Sequence, residues 1–497
     1  MNIQSFLEHH GISRNPFAEE DAQTDPVFKE FCISSAYHPV WDKVYGDPSE
    51  PSTAIVFGAK GSGKTAIGLQ IDRHLDRYNR QHPNHRTFII RYDNFNPFLD
   101  HFQERLPRRI ARKPERTLDA WRLWDHIDAI LCIGVTSLVD RVLHQGDSKE
   151  SIAVDIRDED LRKLERHQHR DLLLLALSYD QSTGESFSQR WNGLRRKLGY
   201  RNWSVGWDLW LAIASAVIAL GVAAWTASSE KLSFGWSAAL FLAICLVGSA
   251  HYKWRWLRCW WMARGIRRHM RVGRRDTRAL HKTLLSIPFA ELASQPLPRF
   301  DRTDDRYELL SKFQSLLGRL GFSGVIVLID RVDEPHLLGG KSELMRRFVW
   351  PLLDNKLLKH SGLGLKLLLP QELHRDVERE SREFHERARL DKQNVIPSFV
   401  WTGEALYDLT RSRMMACAAD DRSPEPRNLF DDSVSYERLL AVMQSLRVPR
   451  HLFRFLYRVL VEHCNKYTDS DPHYKIDVST FETVLAVFNR DLETAGL

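Results

Sequence analysis

The sequence predicts an α/β fold: a parallel sheet built around a phosphate-binding loop, interrupted by a helical insertion and an apolar two-helix hairpin, and followed by a helical lid. Three observations carry that expectation. A glycine-rich string, Gly58-Ala-Lys-Gly-Ser-Gly-Lys64-Thr65, stands between an apolar run and an amphipathic one. Short apolar runs at 325–329 and 363–369 read as strands buried on both faces, as a parallel sheet requires. Between the glycine-rich string and the first of these runs lie two charge-free stretches, 209–229 and 232–250, each long enough as helix to cross roughly 30 Å of hydrocarbon.

Composition sets the outer bounds. A chain of 497 residues has room for two or more structural units, and 43 % hydrophobic residues suffice for their cores. The six cysteines are scattered without a C-x-x-C pair, which argues against a disulfide framework or a zinc site and suits a reducing compartment. The opening residues, Met1 to His10, lack the basic-then-apolar layout of a signal peptide. Residues 1–50 mix polar and aromatic side chains, with turn signals at Asn15-Pro-Phe17 and Tyr37-His-Pro39. A segment in this position often covers a nucleotide base, although packing is the favoured role of Phe17 and Tyr37.

Residues 53–57 read as the first strand, and the helix behind the loop, to about Tyr78, puts Ile67, Leu69, Ile71 and Leu75 at helical spacing. The loop fits G-x-x-x-x-G-K-[ST] without a mismatch. Gly61 and Gly63 permit backbone conformations closed to other residues. The N–H groups from Gly58 through Lys60, Gly61, Ser62, Gly63, Lys64, Thr65 and Ala66 can then converge on phosphate oxygens at a helix N-terminus. Lys64 would reach the β- and γ-phosphates, and the Thr65 hydroxyl would ligate Mg²⁺. A second strand is expected at 86–92, and mainly helices from 98 to 200, broken by the hydrophilic 145–150. His167 and His169 lack a ligand pattern and read as a solvated helix face.

The two charge-free stretches have Trp203, Trp207, Trp210, Trp225 and Trp236 at or near their ends, as an interfacial aromatic belt would. Arg195, Arg196, Lys197 and Arg201 precede them. Residues 253–278 follow with ten Lys or Arg against one acid, Asp276. The net charge of +7 is therefore local, the rest of the chain being near −2. The positive-inside rule places both ends of such a hairpin, and both termini, on the cytoplasmic side of the inner membrane. Attraction to anionic lipid headgroups is the first reading of the basic stretch, and nucleic-acid binding is its rival.

Beyond the hairpin, 307–320 reads as an amphipathic helix. The string Val325-Ile-Val-Leu-Ile-Asp330-Arg-Val-Asp333-Glu334 is a Walker B motif. Asp330 would hold Mg²⁺ through water opposite Thr65, and Asp333 and Glu334 would orient or activate the attacking water. In a P-loop NTPase with an extra strand between the Walker A and Walker B strands (the ASCE type), residues 363–369 supply that strand. Gln371, then Glu372 and Arg375, are the candidates at its end for sensing the γ-phosphate. A fifth strand is expected at 396–401. Helices at 403–415, 436–446, 450–464 and 481–492 form the lid. No Asn-Lys-x-Asp for guanine is present, the closest string being Asn355-Lys-Leu-Leu358, so ATP is favoured over GTP.

The layout resembles the KAP group of P-loop NTPases, where transmembrane helices are inserted between Walker A and Walker B. Asp-x-x-Asp-Glu looks more like the related STAND and NACHT ATPases, in which the later acid polarises water. Val448-Pro449-Arg450 is similar to the helix start of the lid in STAND, AAA+ and origin-recognition ATPases, which implies that Arg450 contacts the γ-phosphate. Arg387 and Arg389 are candidate fingers in trans. The expected division is 1–110 and 301–402 for the two halves of the core, 111–206 for the helical insertion, 207–252 for the hairpin, 253–300 for a basic juxtamembrane helix and 403–497 for the lid. The function implied is a membrane-associated, homo-oligomeric ATPase switch, of the kind that serves bacterial antiphage defence or signalling. The alternatives are a DNA-associated ATPase tethered to the membrane and a multimeric pore component.

Overall fold

The computed structural model describes residues 1–143, 156, 158–182, 184–200, 207–228, 234–419 and 423–494. The hydrophilic break at 145–150, Arg201, Trp203 and the link at 229–233 lie outside the described residues. Five strands are present: β1 Ala54–Gly58, β2 Arg86–Tyr92, β3 Phe322–Ile329, β4 Leu363–Pro370 and β5 Asn394–Ile396. The helices that matter here are, in chain order, α1 Lys64–Gln81, α2 Leu123–Leu143, α3 Arg166–Tyr179, α4 Trp207–Ser228, α5 Phe234–His269, α6 Thr303–Arg319, α7 Gln371–Glu378, α8 Gly403–Ala416, α9 Tyr436–Leu446, α10 Pro449–Lys466 and α11 Val478–Thr494. The chain divides into two compact units, one of residues Met1–Asn94 and Ser323–Leu497, the other of Phe95–Phe322. Helix 96–105 and α6 thus belong to the inserted unit, and the lid helices α8 to α11 to the sheet-bearing one.

In the first unit the five strands form one parallel sheet in the order β2-β3-β4-β1-β5. β1 and β4 are buried at every position, as strands covered on both faces must be. β4 lies between β1 and β3, so the loop strand and the acidic strand are separated by one strand, as expected. Ile55 pairs with Leu367 on β4 and with Val395 on β5. β5 lies earlier than the expected 396–401 and shares only Ile396 with it: it stops there because Pro397 has no N–H for a further ladder bond, and the chain rejoins β1 only where the Phe399 N–H donates to the Phe57 carbonyl at 2.8 Å. Ile67, Ile71 and Leu75 of α1 pack with Val56, Ile326 and Leu368 beneath one face of the sheet. A second core joins the N-terminal segment (Phe6, Leu7, Phe17) to Leu406, Leu452, Phe455 and Phe481 of the lid.

One residue of β4 breaks the apolar pattern. Lys366 is fully buried, and its ammonium donates to the Ser52 carbonyl at 2.8 Å and the Tyr45 carbonyl at 3.1 Å. Burial lowers its pKa from 10.5 to about 8. The unfolded chain therefore binds the extra proton between about pH 8 and 10.5, so stability rises with pH through that window and the penalty is constant below it. The wild type is expected to gain about 3 kcal/mol more than Lys366→Met across this range, as read by denaturant unfolding at each pH. Parallel curves would remove the lysine as the cause.

The second unit is helical. Its core holds a buried ion pair: the Arg306 guanidinium of α6 lies 3.2–3.3 Å from both carboxylate oxygens of Asp128 on α2, and the Tyr179 hydroxyl of α3 donates to Asp128 at 2.8 Å. α4 and α5 pack together as an antiparallel pair, and at Gly248 a Cβ would collide with the Ser215 side chain. The expected membrane hairpin is not supported by helix length and apolarity: among the described residues no helix is long and apolar enough to cross a membrane. The apolar side chains of this pair nevertheless face outward. Trp210, Val217, Ile218 and Trp225 on α4 and Trp236, Leu246 and Val247 on α5 are 58–77 % exposed.

Candidate functional site

The loop after β1 folds as its glycines require. Gly61 and Gly63 take φ +83° and +98°, and Gly63 leads directly into α1. Lys64 turns back over the loop and donates to the carbonyls of Gly58 at 2.7 Å and Ala59 at 2.9 Å. Burial pushes the Lys64 pKa down, and the carboxylates of Asp330, Asp333 and Glu372 draw it back up. The Ser62 hydroxyl is fully buried with no hydrogen-bond partner among the described residues.

The Thr65 hydroxyl donates to Asp330 Oδ2 at 3.0 Å. Two residues 265 positions apart thus meet at the C-terminal edge of the sheet, where open α/β sheets take ligands. Asp330 is 6 % exposed. Burial pushes its carboxyl pKa up, while the Arg331 N–H (2.9 Å to Oδ1), the Thr65 hydroxyl and the Lys64 charge pull it down. Arg331 takes φ +59°, a conformation costly for a side chain of its size, and so turns the chain sharply just past the carboxylate. The hydroxyl and carboxylate are hard oxygen donors suited to Mg²⁺, which keeps most of its waters and shares phosphate oxygens. Among the described residues no group of three or more His, Cys, Asp or Glu could hold a metal unaided.

These residues line a cavity of about 450 Å³, within the usual range for a small-molecule site. Gly58, Lys60, Gly61, Gly63, Lys64, Thr65 and Ala66 form one wall, and Asp330, Asp333 and Glu334 another. Glu334 is paired with Arg331, 3.6 Å away in the same wall, whereas the Asp333 charge acts on Lys64. The start of α10 closes the top. The Arg450 N–H donates to the Gly61 carbonyl at 3.4 Å, and a Cβ on Gly61 would come within 2.6 Å of Arg450 Cβ. The Arg450 side chain lines the cavity beside Glu20, which is 3.9 Å from it and accepts from Arg454 at 2.6 Å.

Other candidates are placed elsewhere. Gln371 does not line the cavity; its amide donates to the Pro397 carbonyl at 2.9 Å, because Pro370 ends β4 and starts α7 with the next side chain turned toward β5. Glu372, one residue on, does line it, and Arg375 does not. Arg387 and Arg389 are exposed and lie away from the cavity, Arg387 over the Phe384 ring at 5.9 Å. Phe17 and Tyr37 pack internally, against Phe453 and His74 respectively.

The aromatic part of the cavity was not legible as a site. It is formed by Phe28, His38, Phe399, Trp401 and Phe453. His38 stacks on Phe399 at 3.8 Å, and burial lowers its pKa to about 4, so the ring is neutral at pH 7. The Trp401 indole N–H donates to the Ser62 carbonyl at 2.8 Å, tying this apolar end to the phosphate loop. Asp25 and Arg413, each 3 % exposed side chains in a salt bridge, fasten the N-terminal segment to α8 beneath it. The available signal was the aromatic pair Phe399 and Trp401 just past a strand end. Comparisons of the chain with protein-family models, with curated proteins and with solved structures give no match.

Proposed function

We propose that this chain is a membrane-associated, Mg²⁺-dependent ATPase that works as a nucleotide-driven switch, of the kind represented by KAP- and STAND-type NTPases. The observation that carries the reading is the 3.0 Å contact between Thr65 and Asp330 at the mouth of a glycine loop. A phosphate chain laid along Gly58–Thr65 would meet converging N–H groups and Lys64, and a purine ring would pack against the aromatic cluster of His38, Phe399 and Trp401. A magnesium ion held by Thr65 and Asp330 would neutralise charge on the β- and γ-oxygens. Asp333 or Glu334 would hold the attacking water in line, and Arg450 would stabilise charge on the γ-phosphate from the lid side. Because Arg450 stands on α10, γ-phosphate contact and lid position are linked, which is what a switch needs.

Membrane association rests on the outward apolar faces of α4 and α5. Taking that many Trp, Leu, Ile and Val side chains out of water contributes on the order of 10–20 kcal/mol, too much for a free surface to forgo. Lipid contact, or a homo-oligomer contact within lipid, would supply the cover. The test is direct: the detergent-purified chain, reconstituted in liposomes, should hydrolyse ATP in a Mg²⁺-dependent reaction and resist extraction by high salt. An absence of ATP turnover with Mg²⁺ would overturn the catalytic reading. Salt-extractable protein would overturn the membrane one. Salt-sensitive DNA binding that survives deletion of 205–251 would favour the DNA-associated alternative.

A further inference from the structure

We infer that the inserted unit carries a second, preformed binding site, an arginine-lined cavity at the C-terminal end of α5 that takes the phosphorylated headgroup of an anionic lipid. The cavity is about 740 Å³ and is lined by Arg105, Arg264, Arg267, Arg268, Arg274 and Arg275, with Glu104 and Asp276 as its acids. The arginines divide into two classes by what their guanidinium groups already hold.

Arg105 and Arg275 are spent on the fold. Arg105 donates to the Arg267 carbonyl at 2.6 Å and the Gly273 carbonyl at 2.8 Å, capping the orphan carbonyls at the end of α5. Arg275 donates to the Leu177 carbonyl at 3.0 Å and to that of Asp180. Asp276 is likewise committed, accepting from the Ala279 N–H at 3.1 Å as a helix cap. Arg274 is shared with Glu104, 3.9 Å away.

Arg264, Arg267 and Arg268 are different. All three are exposed on successive turns of one helix, and no carboxylate pairs with any of them among the described residues. Arg267 donates only to the Thr277 hydroxyl at 3.0 Å, and Arg264 lies over the Trp260 ring at 5.5 Å. Three like charges held on one cavity wall without a counter-ion call for an anion, and forked guanidinium donors match phosphate oxygens.

The same helix says which phosphate. Exposed Trp254, Trp256, Leu257 and Trp261 come one to three turns before Arg264–Arg268, and the outward Leu242, Leu246 and Val247 come before those. Along α5, at about 1.5 Å per residue, an apolar zone gives way to tryptophans interleaved with Lys253, Arg255 and Arg258 and then to Arg264–Arg268, the order a helix meets on leaving a bilayer. This inference rests on the membrane reading, and the test separates the two.

The full chain is mixed with vesicles of phosphatidylcholine alone and with vesicles containing phosphatidylglycerol, with binding read from Trp fluorescence and flotation. Wild type is expected on both, about 100-fold more tightly on the anionic vesicles, from roughly fivefold per arginine. The variant Arg264→Gln/Arg267→Gln/Arg268→Gln should keep its binding to phosphatidylcholine and lose that preference. Arg274→Gln, already shared with Glu104, should lose much less. Equal binding to both vesicle types by wild type, an unchanged preference in the triple variant, or displacement of phosphatidylglycerol by duplex DNA would overturn the headgroup site. Failure on phosphatidylcholine alone would overturn hairpin insertion. The headgroup site would then stand or fall on phosphatidylglycerol-doped detergent micelles.

Discussion

Lys64→Ala is expected to abolish nucleotide binding. In a titration of a fluorescent ATP analogue with Mg²⁺, the variant should bind at least about 100-fold more weakly, since Lys64 would supply two charge-assisted bonds of about 1.5–3 kcal/mol each to the phosphates. The folded chain offers a clean reading of this loss. Without ligand the ammonium is satisfied by the carbonyls of exposed Ala59 and buried Gly58, so the truncation frees the first to water and leaves the second unpaired at about 1–3 kcal/mol. Stability should fall by no more than that while affinity collapses. Burial holds the Lys64 pKa down, but its neighbours Asp330, Asp333 and Glu372 favour the charged form, so the phosphates would meet an ammonium poised to leave the loop carbonyls. Wild-type affinity in Lys64→Ala would remove the glycine loop as the phosphate site and, with it, the proposed ATPase.

What could be read in advance, and what could not, follows from the range over which each signal acts. The strands expected at 325–329 and 363–369, observed as 322–329 and 363–370, were legible because a buried parallel strand is a nearly continuous apolar run, and that at 86–92 because its β-branched and aromatic residues favour a strand; both are local signals. The glycine loop was legible for the same reason: its positive φ angles demand glycine at fixed positions. The meeting of Thr65 and Asp330 was inferred because each motif implies the other. The aromatic end of the cavity has no such code. His38, Phe399 and Trp401 come from two distant stretches, and each alone reads as an ordinary core residue. Gln371 failed as a sensor for a local reason, since Pro370 sets the direction in which α7 begins. The apolar helices α4 and α5 were legible as helices, yet composition alone could not say where their side chains point, and the outward tryptophans had to be seen.

Asp333→Asn is expected to leave ATP bound and unhydrolysed, lowering single-turnover hydrolysis by about 10²–10⁴-fold while affinity stays within a few-fold of wild type. Glu334→Gln should have the smaller effect, because the two acids are placed differently. Asp333 lies in the cavity wall close enough for its charge to act on Lys64, whereas the Glu334 carboxylate is 3.6 Å from Arg331 and more than half exposed. Both are set by one turn: the positive φ of Arg331 redirects the chain after Asp330, and the Glu334 N–H closes that turn onto the Arg331 carbonyl at 3.1 Å. Single-turnover measurement matters because slow product release in a switch would hide a chemical defect from steady-state rates. A larger loss in Glu334→Gln than in Asp333→Asn would mean that ATP draws Glu334 away from Arg331 and toward the phosphates. Normal turnover in both would leave the water unassigned and strip the acidic strand of every role beyond holding magnesium through Asp330.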